Sequence, residues 1–196
     1  MARRTPAFLR LVPFSLVGLR LVLGPVLLFG AAHAWTGAAL VSILSVGVLS
    51  DIFDGVIARR LGVATPVLRQ ADSAVDIVFW LCVLGAAQER TGGLIMRYGL
   101  LISILFFFEV MCQLLSFARF RRPPATHTFA AKLWGLMLFL GFALLLIPVP
   151  ADTFIRIVFI FGIAVDIEVL AIMMLSSTQP IDVPSVFALR PRRVKR

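Results

Sequence analysis

Charged residues are scarce in this chain of 196 residues: they make up 15% of it, whereas hydrophobic residues make up 60%. Soluble domains usually carry about 25% charged residues. The shortage argues against a water-soluble protein and indicates that lipid surrounds most of the chain. Lys and Arg outnumber Asp and Glu by 19 to 10, but they lie between apolar runs and not on a polar, aromatic-rich face, which argues against nucleic-acid binding.

Cysteine and histidine are also rare. The two cysteines, Cys82 and Cys112, lie in separate apolar runs, so the sequence offers no disulfide framework. Both thiols are expected to be small buried apolar groups. The two histidines, His33 and His127, lie far apart in the sequence, and neither has a second histidine at ligand spacing. A histidine-based zinc site is therefore not expected.

Long apolar runs are what the chain has in abundance. A helix needs about 20 residues to cross a hydrocarbon core of about 30 Å. Six runs reach that length, and turns rich in proline or glycine separate most of them. They cover residues 13–32, 37–59, 66–88, 98–118, 128–149 and 153–175. We therefore predict an all-α integral membrane protein with six transmembrane helices in one domain, residues 1–176, followed by a basic cytoplasmic tail, residues 177–196.

The distribution of Lys and Arg predicts how these helices are oriented. Fifteen of these residues fall in the N-terminus, the second and fourth connections and the C-terminus, whereas Arg90, Arg97 and Arg156 fall on the opposite side. Because cytoplasmic loops carry the excess of positive charge, both termini are predicted to be cytoplasmic. Six spans satisfy this bias, and five or seven would not.

Acidic residues are few, yet four of the ten lie inside predicted helices near one side of the membrane. These four are named the aspartate cluster: Asp51, Asp54, Asp72 and Asp76. Spacings of three and four residues place each pair on one face of its helix. A short connection makes the two helices antiparallel neighbours, and Thr65 followed by Pro66 is typical of a helix start. The two pairs are therefore predicted to meet at one depth.

Four carboxylates at one depth in lipid require compensation, because a single central Asp costs at least about 2.5 kcal/mol to insert. Divalent cations that prefer oxygen ligands, such as Mg²⁺, Mn²⁺ or Ca²⁺, would provide it. Gly55 would let a ligand approach the backbone, Ala58 keeps the same face small, and Arg59 offers a positive charge suited to phosphate. Two alternatives stay open here: salt bridges to Arg59, Arg60 and Arg69, or a proton or ion relay in a transporter.

The stretch from Asp51 to Arg59, followed by Asp72 and Asp76, resembles the signature of the CDP-alcohol phosphotransferase family, D-x2-D-G-x2-A-R-x8-G-x3-D-x3-D. Every fixed position matches with the correct spacing except the second glycine, where this chain has Leu68. In the family that position lies close to the nucleotide base. The layout of six spans is also similar to that family over the whole chain.

The resemblance implies an activity: transfer of a phosphatidyl group from a CDP-linked donor, such as CDP-diacylglycerol, to an alcohol, with release of CMP, in phospholipid biosynthesis. It implies that Mg²⁺ or Mn²⁺ is bound by Asp51, Asp54, Asp72 and Asp76. It implies that Asp76 also acts as the general base. The nucleotide-binding residues implied in the same way are Asp51, Gly55, Ala58, Arg59 and Leu68. A homodimer is expected on the same basis.

Further basic residues are candidates for binding the phosphate of an acceptor such as glycerol 3-phosphate or inositol phosphate. They are Lys132, Arg119, Arg121, Arg122 and Arg20. Lys132 resembles a lysine at this place in phosphatidylglycerol-phosphate-type members. The alternative for the four residues around the fourth connection is ordinary positive charge facing anionic headgroups. Arg20 lies within the first span and needs a partner, for which the aspartate cluster is a candidate.

The expected location and partners follow from the same observations. Residues 182–190 resemble the tails of bacterial members, which suggests a bacterial plasma membrane with the site open to the cytoplasm. The expected partners are a CDP-linked lipid donor, an alcohol acceptor and membrane lipid. Two other functions stay open on the sequence: a metal- or proton-linked transporter that uses the same aspartates, and a catalytically altered family member.

Overall fold

The computed structural model describes residues 7–61, 65–124, 126, 128–147, 149–181 and 183–188. The described part of the chain is all-helical and contains six long α-helices. They are α1 (Ala7–Ala32), α2 (Gly37–Leu61), α3 (Pro66–Thr91), α4 (Leu94–Phe120), α5 (Phe129–Leu146) and α6 (Asp152–Leu175). Each is long and apolar enough to span a membrane, which indicates a multi-pass integral membrane protein. The predicted fold class is confirmed.

The helix ends differ from the predicted runs by a few residues. α4 covers Leu94–Phe120 and not 98–118, because arginines near its ends continue the hydrogen-bonded helix although they interrupt the apolar run. α5 ends at Leu146, earlier than residue 149. The reason is Pro148, since a proline disfavours helical backbone at the residue before it.

The start of α3 is fixed by its own sequence, as predicted. The Thr65 side chain accepts a hydrogen bond from the Leu68 N–H at 3.2 Å, and Pro66 opens the helix. At the other end Gly92 has a left-handed φ of 62°, and its N–H donates to the carbonyl of Gln88 at 2.8 Å. These two caps set where the α3 aspartates lie along the helix.

The chain divides into two compact units. The first unit comprises Met1–Leu94 with Phe142–Pro150, and the second comprises Ile95–Gly141 with Ala151–Arg196. In the first unit, α1 packs against both α2 and α3. The approach to α3 is close at Gly24, where an added Cβ would lie 3.3 Å from the Phe79 Cα. The core of this unit therefore forms around α1.

The second unit is held by side chains that reach between its helices. The Trp134 Nε1 donates to the carbonyl of Val158 at 3.0 Å. Near the start of α6, the Tyr98 hydroxyl donates to Asp152 Oδ1 at 2.6 Å, and Arg97 pairs with the same oxygen at 3.2 Å. These contacts join α4 and α5 to α6.

The described part of the tail, up to residue 188, forms hydrogen bonds to other parts of the second unit. The Val186 N–H donates to Glu168 Oε1 at 3.1 Å, and the Phe129 N–H donates to the carbonyl of Pro184 at 3.0 Å. The Gln179 side chain donates to the carbonyl of Pro123 at 2.9 Å. The basic residues 190–196, which were predicted to form the end of the tail, lie outside the described residues.

Candidate active site

The aspartate cluster lies on two helices of the first unit. Asp51 and Asp54 belong to α2, and Asp72 and Asp76 belong to α3. All four positions fall inside apolar segments long enough to span a membrane, Gly37–Ala58 and Gln70–Thr91. Since the two aspartates of α2 are three residues apart and those of α3 are four residues apart, each pair lies on one face of its helix, as predicted.

Arg20 of α1 joins all four carboxylates. Its Nη1 donates to Asp51 Oδ1 at 2.8 Å and also to Asp76, and its Nη2 donates to Asp72 Oδ1 at 3.0 Å and also to Asp54. The Arg20 side chain is 1% exposed. The prediction that this intramembrane arginine pairs with the aspartate cluster is confirmed.

The four carboxylates differ in how open they are. The side chain of Asp54 is 5% exposed, whereas those of Asp51, Asp72 and Asp76 are 46%, 31% and 34% exposed. Asp54 is therefore enclosed with Arg20, and the other three face an accessible space. A ligand that approaches the cluster meets these three carboxylates first.

The three accessible carboxylates fit a divalent cation. Asp51, Asp72 and Asp76 each offer one oxygen, and these three oxygens lie within 4.8 Å of one another. Since metal–oxygen distances are about 2.0–2.6 Å for Mg²⁺ and Ca²⁺, oxygens this close can share one ion. An all-oxygen set also suits hard cations such as Mg²⁺ and Mn²⁺. Asp54, the fourth predicted ligand, is less accessible than the other three.

Two of the residues predicted to bind the nucleotide belong to a buried apolar cluster, which is named the apolar wall. Ala58 of α2 and Leu68 of α3 are both buried, and they cluster with Val17 of α1. Ala58 follows Asp54 by four residues and Leu68 precedes Asp72 by four, so the wall lies about 6 Å along each helix from the carboxylates.

The remaining nucleotide candidates lie close by in the sequence of α2. Gly55 is half-buried beside Asp54. Arg59 belongs to α2, but its side chain lies outside the described residues, as does that of Arg69. Arg60 is exposed, and the ion pairs of the aspartate cluster among the described side chains are made with Arg20. The alternative of salt bridges to the second connection is therefore not supported at Arg60, whereas at Arg59 and Arg69 it falls on side chains outside the described residues.

The candidates for binding the acceptor phosphate are divided between the two units. Arg20 lies with the aspartates in the first unit, whereas the other four belong to the second unit: Arg119, Arg121, Arg122 and Lys132. The Arg119 Nη1 donates to the carbonyl of Met174 at 2.9 Å. Lys132 is exposed in the first turn of α5, which Thr128 caps by accepting from the Ala131 N–H at 3.0 Å.

Sequence reasoning missed two features of this site. One is the wall residue Val17, and the other is the sharing of a single guanidinium among four carboxylates. A signal exists for Val17, since it precedes Arg20 by three residues and Gly24 by seven, so all three lie on one face of α1. No local pattern specifies that α1 packs against both α2 and α3.

Comparison with known proteins agrees with this geometry. A family model described as CDP-alcohol phosphatidyltransferase matches residues 10–179. Searches of curated proteins and of solved structures give no match. The matched range is most of the chain and contains Arg20, the whole aspartate cluster and the apolar wall. The chain therefore belongs to the CDP-alcohol phosphatidyltransferase family.

Proposed function

We propose that the protein transfers a phosphatidyl group from CDP-diacylglycerol to an alcohol and releases CMP, as a step in phospholipid biosynthesis. The observation that carries this proposal is the meeting of four carboxylates from two family-signature helices around one site. One guanidinium cannot neutralise four carboxylates. The remaining negative charge supports binding of divalent cations, followed by a phosphate-bearing donor.

Asp51, Asp72 and Asp76 would hold Mg²⁺ or Mn²⁺, with Asp54 behind them against Arg20. Bound divalent cations neutralise the charge of the donor diphosphate and polarise the phosphoryl oxygens. Gly55, Ala58 and Leu68 would line the side of the site where the nucleotide lies, with Arg59 at its end. These residues would orient CDP so that the phosphorus bonded to the lipid faces the acceptor.

Asp76 would act as the general base. Its carboxylate takes the proton from the acceptor hydroxyl while the hydroxyl oxygen forms a bond to the lipid-bearing phosphorus. The bond from that phosphorus to the bridging oxygen of CMP breaks, and CMP leaves with the electron pair. The Arg20 Nη1 contact to Asp76 supports this role, because it holds the carboxylate in one orientation.

The acceptor would be an alcohol that carries a phosphate. Arg119, Arg121, Arg122 and Lys132 supply positive charge at the α4–α5 connection, and all four are exposed. Glycerol 3-phosphate and inositol phosphate are acceptors of this chemistry. The excess of Lys and Arg on one side supports a site open to the cytoplasm. A bacterial plasma membrane and a homodimer belong to this proposal because of the resemblance of the sequence to the family.

Product analysis tests this function. The purified protein in detergent is incubated with CDP-diacylglycerol and a panel of alcohols, with Mg²⁺ or with EDTA, and CMP and lipid products are identified by mass. We expect CMP and one new phospholipid in Mg²⁺ and neither in EDTA. Absence of CMP with every alcohol would contradict the proposal. In that case, cation or proton movement into protein-containing vesicles would identify a transporter, and its absence would identify a catalytically altered member.

A further inference from the structure

We infer that Arg20 is a positioning residue that competes with the divalent cation for the aspartate cluster. Its guanidinium gathers the four carboxylates, stays with Asp54, and gives up contacts to the three accessible carboxylates when the cation binds. The inference rests on the proposed function only in taking a divalent cation as the ligand of these carboxylates.

The first support is the geometry of the guanidinium. Its two terminal nitrogens make all four contacts, two each, and every contact joins α1 to a different aspartate. A guanidinium is a planar fork with five N–H donors, so it can hold several carboxylates at once where a lysine cannot. The Arg20 Nε is buried and has no hydrogen-bond partner among the described residues, so the end of the side chain carries the interaction.

The second support is that the two cations need the same groups. The three residues that could share a metal ion, Asp51, Asp72 and Asp76, are all ion-paired with Arg20. A divalent cation among them would lie beside the guanidinium and be repelled by it, since like charges at a few ångströms oppose each other strongly in a poorly solvated site. Binding of one cation therefore weakens binding of the other.

The difference in exposure decides which contacts are exchanged. Asp54 and Arg20 are both enclosed, so their pair is shielded from solvent and ions. The other three carboxylates are about one third to one half exposed and open to an incoming ion. Arg20 therefore remains in the site after the exchange, held by Asp54.

The replacement of Arg20 contacts by divalent cations changes the net charge of the site, and this change affects binding of the donor. Four carboxylates and one guanidinium carry three net negative charges. One divalent cation reduces this to one negative charge, and two convert it to one positive charge. Because Arg20 stays in the site, the site with two divalent cations is positively charged. It should therefore bind the diphosphate of the donor more strongly than the negatively charged empty site does.

Metal binding and thermal unfolding of the purified full chain test this inference without measuring turnover. Mn²⁺ binding is followed by the electron paramagnetic resonance signal of the free ion, and unfolding by circular dichroism in EDTA and in Mn²⁺. We expect Arg20→Gln to bind Mn²⁺ more tightly than wild type, by a factor within the range of roughly 5- to 150-fold typical of coupled sites. We also expect it to unfold at a lower temperature in EDTA and to gain more from Mn²⁺.

A second variant and a control keep the test decisive. Arg20→Lys keeps one positive charge but cannot hold four carboxylates, so its Mn²⁺ affinity should exceed that of wild type and stay below that of Arg20→Gln. If the glutamine variant does not fold, the comparison of the lysine variant with wild type tests the inference. Arg97→Gln removes an exposed arginine paired with Asp152, so it should leave Mn²⁺ affinity unchanged, and any shift of its unfolding temperature should be the same in EDTA and in Mn²⁺. Mn²⁺ affinity equal to or weaker than wild type in the folded Arg20 variants would overturn the inference. Because CMP is not measured, this result is independent of whether the proposed reaction occurs.

Discussion

Arg20 is the residue on which the geometry of the aspartate cluster depends, because each of its terminal nitrogens contacts two carboxylates. A charged side chain inside a membrane needs a partner, so the sequence was sufficient to predict that Arg20 pairs with the aspartates. It was not sufficient to predict a fourfold interaction. That interaction depends on α1 packing against both acidic helices, and no spacing within α1 encodes such packing.

Asp76→Asn tests the general base. The amide keeps an oxygen that can bind a cation, but it cannot take up the proton of the acceptor hydroxyl. We expect CMP release to fall by about 10²- to 10⁴-fold, while CDP binding in Mg²⁺, measured by calorimetry, changes little. Asp152→Asn is the matched control, because Asp152 is an exposed aspartate paired with Arg97 outside the cluster. CMP release at the wild-type rate in Asp76→Asn would refute the assignment.

Asp54→Asn and Asp51→Asn are expected to separate stability from metal binding. Asp54 is enclosed with Arg20 and Asp51 is half-exposed. Removing one partner of a buried ion pair costs up to about 3–5 kcal/mol, and the three contacts that Arg20 keeps should reduce this cost.

We therefore expect Asp54→Asn to lower the unfolding temperature in EDTA more than Asp51→Asn does, as measured by circular dichroism. Because Asp51 is the more exposed of these two carboxylates and belongs to the group that could share a cation, Asp51→Asn should weaken Mn²⁺ binding more. A larger loss of unfolding temperature in Asp51→Asn, or a larger loss of Mn²⁺ affinity in Asp54→Asn, would show that exposure does not distinguish the roles of the two aspartates.

The surroundings of the Leu68 side chain could be known only from the structure. The sequence places leucine at the second glycine of the family signature, next to the region implied to bind the base. The structure adds that Leu68 is buried against Ala58 and Val17. The side chain therefore completes an apolar wall between three helices, which its position within α3 alone could not reveal.

At the scale of the helices, local sequence explains most of what is observed. Thr65 and Pro66 predict the start of α3, and the Thr65 contact to the Leu68 N–H confirms it. The apolar runs predict where the helices lie, but not their ends, because charged residues such as Arg119 continue the helix beyond the apolar run. The packing of α1 on α3 is signalled only by small residues such as Gly24.

Gly24→Leu tests whether the close approach of α1 to α3 positions Arg20. A Cβ at Gly24 would lie 3.3 Å from the backbone of Phe79, which cannot rotate away, so a leucine should push the helices apart. Gly24 follows Arg20 by four residues, and the displacement should therefore reach the ion pairs. We expect a lower unfolding temperature in EDTA and a CMP release reduced by about tenfold or more.

Gly18→Leu is the control for this change. Gly18 is an exposed position of α1, and an added Cβ there would have no atom within 4 Å. This variant should unfold and release CMP like the wild type. Equal effects of the two substitutions would show that the Gly24 approach does not position Arg20.

For the whole molecule, composition and apolar length were enough to predict six membrane-spanning helices, and the described part of the chain confirms them. The tail, residues 177–196, is predicted to be a basic cytoplasmic extension. Its described part forms hydrogen bonds within the second unit through Gln179, Pro184 and Val186. Hydropathy carries no information about such contacts, since they are made by backbone groups and single polar side chains.

Orientation in the membrane is a prediction for the whole chain. The excess of Lys and Arg predicts that both termini lie in the cytoplasm. A reporter fused after Arg196 should therefore read cytoplasmic, and one inserted after Gly93, between α3 and α4, should read the opposite side. A tail reporter on the far side would invert the topology and move the aspartate cluster to the outer leaflet.

Arg20 comes before its four partners in the chain, so ribosomes deliver the cation before the anions. When α2 leaves the translocon, α1 can already offer a guanidinium to Asp51 and Asp54, which reduces the cost of partitioning an acidic segment into the bilayer. The α3 carboxylates then join a hairpin that is partly neutralised. We therefore expect the loss of Arg20 to reduce the membrane insertion of α2 and α3, as measured by the fraction of the newly made chain that enters the membrane.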